Sequence, residues 1–294
     1  MAGRFAPSPT SDLHLGNLRT ALLAWLFART SGRDFLVRIE DLDRARVAAA
    51  AGVAERQLAD LATLGIDHDG EVVRQSHRQP LYEAALARLD VYECYCSHRE
   101  IAESAQAPHG DRDRPYPGTC RDLTKAERAA KRAVRPAALR VRAGGATWTA
   151  TDELYGLVTR EVDDFVLRRG DGTYAYNLAV VVDDGDQGVD QVVRGDDLLS
   201  SAPRQAWLAD QLGITPPTYA HVPLAVGPDG RRLAKRDGAV TMTDLAALGV
   251  TPAEVLTRLA SSLGLASARE KVTPAHLLDR FDPAALPHDP WVVE

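Results

Sequence analysis

No run of 18 apolar residues occurs anywhere in the 294-residue chain, so no membrane-spanning helix is expected. The opening Met1-Ala2-Gly3-Arg4 carries no long apolar segment of the secretory kind, and a cytoplasmic protein without a membrane partner is expected. Cysteines are scarce. There are three, all between positions 94 and 120. An odd count in a reducing compartment disfavours a disulfide framework, and the clustering favours a metal. Aromatics make up only 6%, yet the 45% hydrophobic content is ample for a core of one or two domains. Low-complexity tracts and internal repeats are also missing, which excludes disordered and solenoid classes. The net charge of −6 excludes a protein that coats nucleic acid indiscriminately.

That charge is unevenly spread. From Arg112 to Arg142 ten Lys/Arg stand against three Asp/Glu, a net of +7, which leaves −13 for the rest. Such a run suits either a solvated helix face or a phosphate-contacting surface.

The opening reads as a parallel α/β unit. Arg4-Phe5-Ala6 ends a first strand, and Pro7-Ser8-Pro9-Thr10 forces a loop because proline cannot donate to a ladder. Leu18 to Thr30 is expected as a helix, with Leu18, Leu22, Trp25 and Leu26 on one face. Phe35 to Ile39 follows as a strand with Glu40-Asp41 at its carboxyl end. Helices are expected over about 46–64 and 78–90. Continuous apolar runs at Leu178–Val182, Val189–Val193 and His221–Val226 suggest strands buried on both faces. Ser201–Leu212 reads as a helix. Thr124-x-x-Glu127 has the form of a capping box, and Thr251-Pro252-x-Glu254 orders a cap, a first-turn proline and a third-position glutamate.

Two segments carry candidate chemistry. His14-Leu15-Gly16-Asn17 places a glycine, which permits close backbone approach, at a helix start that favours anions. By itself the pattern is also that of an ordinary turn. Arg231-Arg232-Leu233-Ala234-Lys235-Arg236-Asp237-Gly238 can clamp a triphosphate or be a plain basic surface loop. Cys94-x-Cys96 and Cys120 supply three thiolates of the four ligands that a structural zinc needs. His98 and His109 are chemically usual candidates for the fourth, and three reduced cysteines in a small core are the alternative.

Taken together, these segments resemble the class I aminoacyl-tRNA synthetases, glutamyl branch. The likeness is carried by Arg4-Phe5-Ala6-Pro7-Ser8-Pro9-Thr10, Leu13-His14-Leu15-Gly16-Asn17 and Val37-Arg38-Ile39-Glu40-Asp41. Tyr176-Asn177-Leu178-Ala179, Val181-Val182-Asp183-Asp184, Val193-Arg194-Gly195 and the lysine loop continue it in the family's order. With 56 residues after Gly238, the chain looks like the truncated glutamyl-Q tRNA(Asp) synthetase family. That family resembles the catalytic half alone and attaches glutamate to queuosine in the anticodon of tRNA(Asp).

The resemblance implies an α/β fold: a Rossmann-like parallel nucleotide-binding core with an inserted zinc-containing domain and a short helical C-terminal region. Residues 1–92 and 170–228 would form the halves of the core, 93–169 the zinc and basic insertion, and 229–294 the lysine loop and C-terminal helices. Arg4, Phe5, Ala6, Pro7, Ser8, Glu40, Tyr176 and Arg194 would bind glutamate, with Glu40 on the α-ammonium and the arginines on carboxylate charge. Read without the family, Glu40 is a surface strand end and Tyr176 is core packing. His14, Gly16, Asn17 and Lys235 would bind ATP, accompanied by Mg²⁺. Cys94, Cys96, Tyr116 and Cys120 would hold structural Zn²⁺. The implied partners are ATP, L-glutamate and tRNA(Asp) carrying queuosine, with the basic insertion facing RNA. Two positions depart from the family: Ser11, where glycine is usual, and Ala234, where serine is usual. A left-handed backbone at Ser11 would be strained.

Overall fold

The computed structural model describes residues 1–97, 99–101, 116–231, 233 and 240–293. Strand β1 (Ala2–Phe5) is followed by the helix Leu15–Thr30 and by β2 (Asp34–Ile39), which lies parallel to β1 with Phe5 opposite Val37. The short strand β3 (Val73–Arg74) extends the sheet beside β2. On the other side of β1 lie β9 (Val189–Gly195) and then β10 (Thr218–Val222), both parallel. With β6 (Ala146–Asp152) and β7 (Gly156–Val162) the order is β3-β2-β1-β9-β10-β6-β7, and only β7 runs antiparallel. The chain thus leaves β1 to one side first and returns to its other side later. A crevice opens at the carboxyl ends of the strands where that reversal occurs. Phe5, Glu40 and Gly195 sit at those ends.

Residues 93–169, expected as an insertion, divide between two sheets. Strands β4 (Val91–Cys94), β5 (Ala138–Val141) and β8 (Val166–Arg168) make a separate antiparallel sheet. The hairpin β6–β7 instead joins the central sheet. The helix Lys125–Arg132 begins at the Thr124 capping box and buries none of its residues.

One strand expectation is overturned. Leu178–Val182 lies in the helix Tyr176–Asp186. A short apolar run bounded by turns cannot distinguish a buried strand from a buried helix. Here all five residues are buried because the helix packs between the helices Gln79–Leu86 and Ala202–Gln211. The helix then continues into Asp183 and Asp184, whose carboxylates it delivers beneath the crevice. Other elements are shorter than expected. The 46–64 region splits into Arg44–Ala48 and Val53–Thr63 at Gly52, whose φ of 72° favours glycine. The 78–90 helix runs over Gln79–Leu86. Pro223 separates β10 from β11 (Ala225–Val226), which pairs instead with β12 (Trp291–Val292).

After the lysine loop, the helices Met242–Ala247, Pro252–Ser262 and Pro274–Arg280 pack onto the helix Leu15–Thr30 in one continuous core. Phe27 meets Phe281 edge-on, with ring centroids 5.1 Å apart. No helix among the described residues is long and apolar enough to cross a membrane.

Candidate active site

A cleft of about 800 Å³ lies at the carboxyl ends of β1, β2, β9 and β10. Its wall contains Arg4, Phe5, Ala6, Pro7, Ser8, Glu40, Tyr176 and Arg194, together with His14, Gly16 and Asn17. The structure therefore brings eleven of the twelve expected glutamate and ATP residues to one cavity. Lys235 lies outside the described residues, as do Ala234, His98 and His109. Its flanking residues Leu233 and Thr241 both line the cleft.

His14 caps the helix Leu15–Thr30. Its Nδ1 accepts from the amides of Gly16 at 3.1 Å and Asn17 at 3.3 Å, while Asn17 Oδ1 accepts from the His14 amide at 3.3 Å. An Nδ1 used as an acceptor places the neutral ring's proton on Nε2, a donor suited to phosphate. A Cβ on Gly16 would come within 3.0 Å of His14 Cε1 and 3.1 Å of Ala225 Cβ, so a larger residue there would have to push these side chains aside. The amide of Leu15 donates to the Val240 carbonyl at 3.1 Å, tying this turn to the chain just beyond the lysine loop.

Behind Arg4 and Glu40 lies a buried cluster of charged groups. Arg38 is fully buried and donates to Asp184 at 2.7 Å and to Gln187 at 2.8 Å. Asp184 also accepts from Arg4 Nε at 3.4 Å. Burial alone would raise the Asp184 pKa, but the charges of Arg38 and Arg4 outweigh it and hold it below its ordinary value. Glu40 is served less well. Arg38 Nη2 comes only to 3.5 Å from Glu40 Oε1, and that buried oxygen accepts no hydrogen bond. Burial pushes the Glu40 carboxyl up to about 7, against the pull of Arg38 and Arg4. An unsatisfied buried carboxylate oxygen is costly unless a ligand completes it.

Arg194 presents the complementary imbalance. Its Nε donates to His221 Nε2 at 2.9 Å, Nη1 to Gln205 Oε1 at 2.6 Å and Nη2 to the Leu198 carbonyl at 3.4 Å. These acceptors are neutral, and among the described residues no carboxylate forms an ion pair with Arg194. Arg194 is 5% exposed, so its charge is largely unscreened by water. The cleft thus holds an unneutralised cation and an unsatisfied carboxylate, which together suit a zwitterion bearing a further carboxylate.

Sequence reasoning passed over several residues here. Gln57 is 1% exposed, and its Nε2 donates to the carbonyls of Ser8 at 3.1 Å and Ser11 at 2.7 Å, pinning the proline-rich loop. A glutamine within a helix gives no local signal of such a role. Gln205, His221 and Asp152 stand behind Arg194 and come from distant elements. Ser11 carries no strain: no described residue other than glycine has a positive φ.

The cysteine sulfurs of Cys94, Cys96 and Cys120 all lie within 4.8 Å of one another. The Tyr116 hydroxyl is 3.4 Å from Cys94 Sγ and 3.6 Å from Cys96 Sγ. A tetrahedral zinc with bonds of about 2.3 Å requires sulfurs roughly 3.8 Å apart, so four such donors fit one ion. The Arg140 guanidinium stacks 3.7 Å over the Tyr116 ring and donates to the Asp164 carbonyl at 2.7 Å. Much of the neighbouring basic excess is engaged internally. Arg121 pairs with Asp164, Arg132 with Glu93 and Arg135 with Glu100.

These features define a class. Residues 1–293 match the family described as tRNA synthetases class I (E and Q), catalytic domain. The chain belongs to that family of class I synthetases, and is accordingly a ligase. Among curated proteins it is 60% identical to the glutamyl-Q tRNA(Asp) synthetase of Nocardia farcinica, covering 99% of this chain and 93% of that protein. It is 46% identical to the glutamyl-Q tRNA(Asp) synthetase of Symbiobacterium thermophilum, over 99% and 95% of the two chains. Among solved structures, a glutamate tRNA ligase from Elizabethkingia meningosepticum, in complex with its amino acid, superposes with a TM-score of 0.81 at 26% identity. That match covers 99% of this chain and 66% of the other.

Proposed function

We propose that the cleft binds L-glutamate and ATP, forms glutamyl-adenylate, and passes the glutamate to a hydroxyl on queuosine in the anticodon of tRNA(Asp). The observation that carries the first step is the paired imbalance in one cavity: Glu40 for an ammonium, Arg194 for a carboxylate. Arg4 contributes further positive charge, Tyr176 a hydroxyl, and Phe5 to Ser8 the wall. The α-carboxylate of glutamate attacks the α-phosphorus of ATP, the bond to the β-phosphate oxygen breaks, and pyrophosphate leaves. No general base is required, because that carboxylate is already ionised at neutral pH. The step then depends on positioning and on charge stabilisation. His14, Gly16 and Asn17 hold the nucleotide at the helix start, and Lys235 steadies the departing pyrophosphate. Mg²⁺ accompanies ATP, as in class I synthetases generally. A queuosine hydroxyl finally attacks the mixed anhydride and releases AMP.

The named relatives support the acceptor, and the exposed helix Lys125–Arg132 in the 93–169 segment offers cations to RNA. The test supplies labelled glutamate and ATP with tRNA(Asp) carrying queuosine, tRNA(Asp) lacking it, and tRNA(Glu). Label is expected on the first alone and should survive removal of the 3′ terminal adenosine. Labelled tRNA(Glu) that loses its label with that adenosine would instead make the enzyme a 3′-end glutamyl-tRNA synthetase.

Cys94, Cys96, Cys120 and Tyr116 are proposed to hold one structural zinc. Purified protein is expected to contain about one zinc per chain, and Cys94→Ser or Cys120→Ser to lose it and to melt earlier. Elemental analysis finding none after growth in zinc-replete medium would refute the site.

A further inference from the structure

Arginine has donors only, so the contact between Arg194 Nε and His221 Nε2 at 2.9 Å requires a lone pair on that nitrogen. The ring proton must then sit on Nδ1, which lies 2.6 Å from Asp152 Oδ2. Asp152 is itself fixed. Its Oδ1 accepts from the amides of Leu154 and Tyr155, both at 2.9 Å, and its Oδ2 from the His221 amide at 3.1 Å. On the other edge of Arg194, Gln205 Oε1 accepts at 2.6 Å while Gln205 Nε2 donates to Asn177 at 2.9 Å. Tyr219 stacks on His221 at 5.7 Å and lies 5.0 Å beneath the guanidinium. Asp152, Gln205 and His221 are at most 3% exposed.

We propose that His221, locked in its Nδ1-protonated tautomer by Asp152, is the positioning residue that aims Arg194 into the cleft while leaving its charge for the ligand. A carboxylate in place of the imidazole would hold the arginine as firmly but would neutralise it. The imidazole holds it through a neutral acceptor and keeps the acid one ring away. Burial favours the neutral imidazole, the Asp152 hydrogen bond opposes that, and the charge of Arg194 favours it again, with a net lowering. None of these groups sits in a motif, because they come from β6, β10 and the helix Ala202–Gln211.

The inference rests on the reading that Arg194 receives a glutamate carboxylate, and the test separates the two. ATP–pyrophosphate exchange is measured for Arg194→Ala, His221→Leu, Asp152→Asn and the Arg194→Ala/His221→Leu double variant. Each single variant is expected to raise KM for glutamate by about 10-fold or more with KM for ATP little changed. In the Arg194→Ala background, His221→Leu is expected to add less than about 2-fold, because coupled residues are not additive. Nitrogen-15 NMR of the intact wild-type protein is expected to show His221 protonated on Nδ1 and bare at Nε2, with the signal assigned by its loss in His221→Gln. Unchanged glutamate KM in Arg194→Ala would overturn the role of Arg194 itself. An Arg194 effect accompanied by full additivity, or by a His221 ring protonated on Nε2 at neutral pH, would overturn the positioning role alone.

Discussion

ATP–pyrophosphate exchange is expected to run on the order of 10³-fold or more efficiently with glutamate than with glutamine. The two amino acids are nearly isosteric, so shape cannot separate them. Charge can. Arg194 makes its hydrogen bonds to His221, Gln205 and the Leu198 carbonyl, all neutral, and it is almost completely withdrawn from water. A side-chain carboxylate completes that buried cation. The amide of glutamine leaves it uncompensated, and an unpaired buried charge costs far more than one lost neutral hydrogen bond. Arg4 does not provide the same discrimination, because Asp184 already shares its charge. The measurement is kcat/KM for exchange with each amino acid. Comparable values for the two would remove Arg194 from contact with the side chain.

Glutamate affinity is also expected to rise with pH, by about 10-fold per unit, between roughly pH 5.5 and 7, and then to level off. The cause is Glu40, whose carboxyl burial pushes up to about 7. Below that value the free site holds a neutral acid, whereas an ammonium ligand needs the anion. Binding must then expel a proton, and the proton competes. Free glutamate changes little in this window, since its side-chain carboxyl titrates near pH 4.3. The effect on stability has the opposite sign. A carboxyl whose folded pKa is raised contributes stability present below its unfolded value, near 4.5, and lost as pH rises through about 7. Affinity and Glu40's contribution to stability should therefore move in opposite directions. Glu40→Gln is expected to weaken glutamate binding by about 10²-fold at pH 8 and to abolish the slope. A slope that persists in Glu40→Gln would assign the titration to another group.

Much of the cleft wall could be read locally. The proline-rich loop Pro7–Thr10 follows a strand because proline ends a ladder. The His14-Leu15-Gly16-Asn17 turn caps a helix because it has one acceptor ring, one amide side chain and one residue without a Cβ. The capping boxes at Thr124 and Thr251 form as their spacing predicts. In the caps at His14, Thr124 and Thr251 the hydrogen-bonding partners lie within three residues of one another.

Where partners are distant, local pattern was silent or misleading. Leu178–Val182 has the composition of a buried strand, yet it is helical because helices on either side supply its burial. The hairpin β6–β7 gives no sign in sequence that it will extend the central sheet past β10. The sequence alone determined which chemical groups line the cleft: a carboxylate, guanidinium donors and a capped glycine turn at a helix start. Only the tertiary structure decided which partners those groups meet. Glu40 is left short of a hydrogen-bond partner because Arg38 turns to Asp184, 146 residues away in the chain, and Arg194 meets an imidazole rather than a carboxylate because His221, 27 residues on, stands between it and Asp152. Charge state depends on burial and on through-space neighbours, and both are properties of the packed chain rather than of any segment of it.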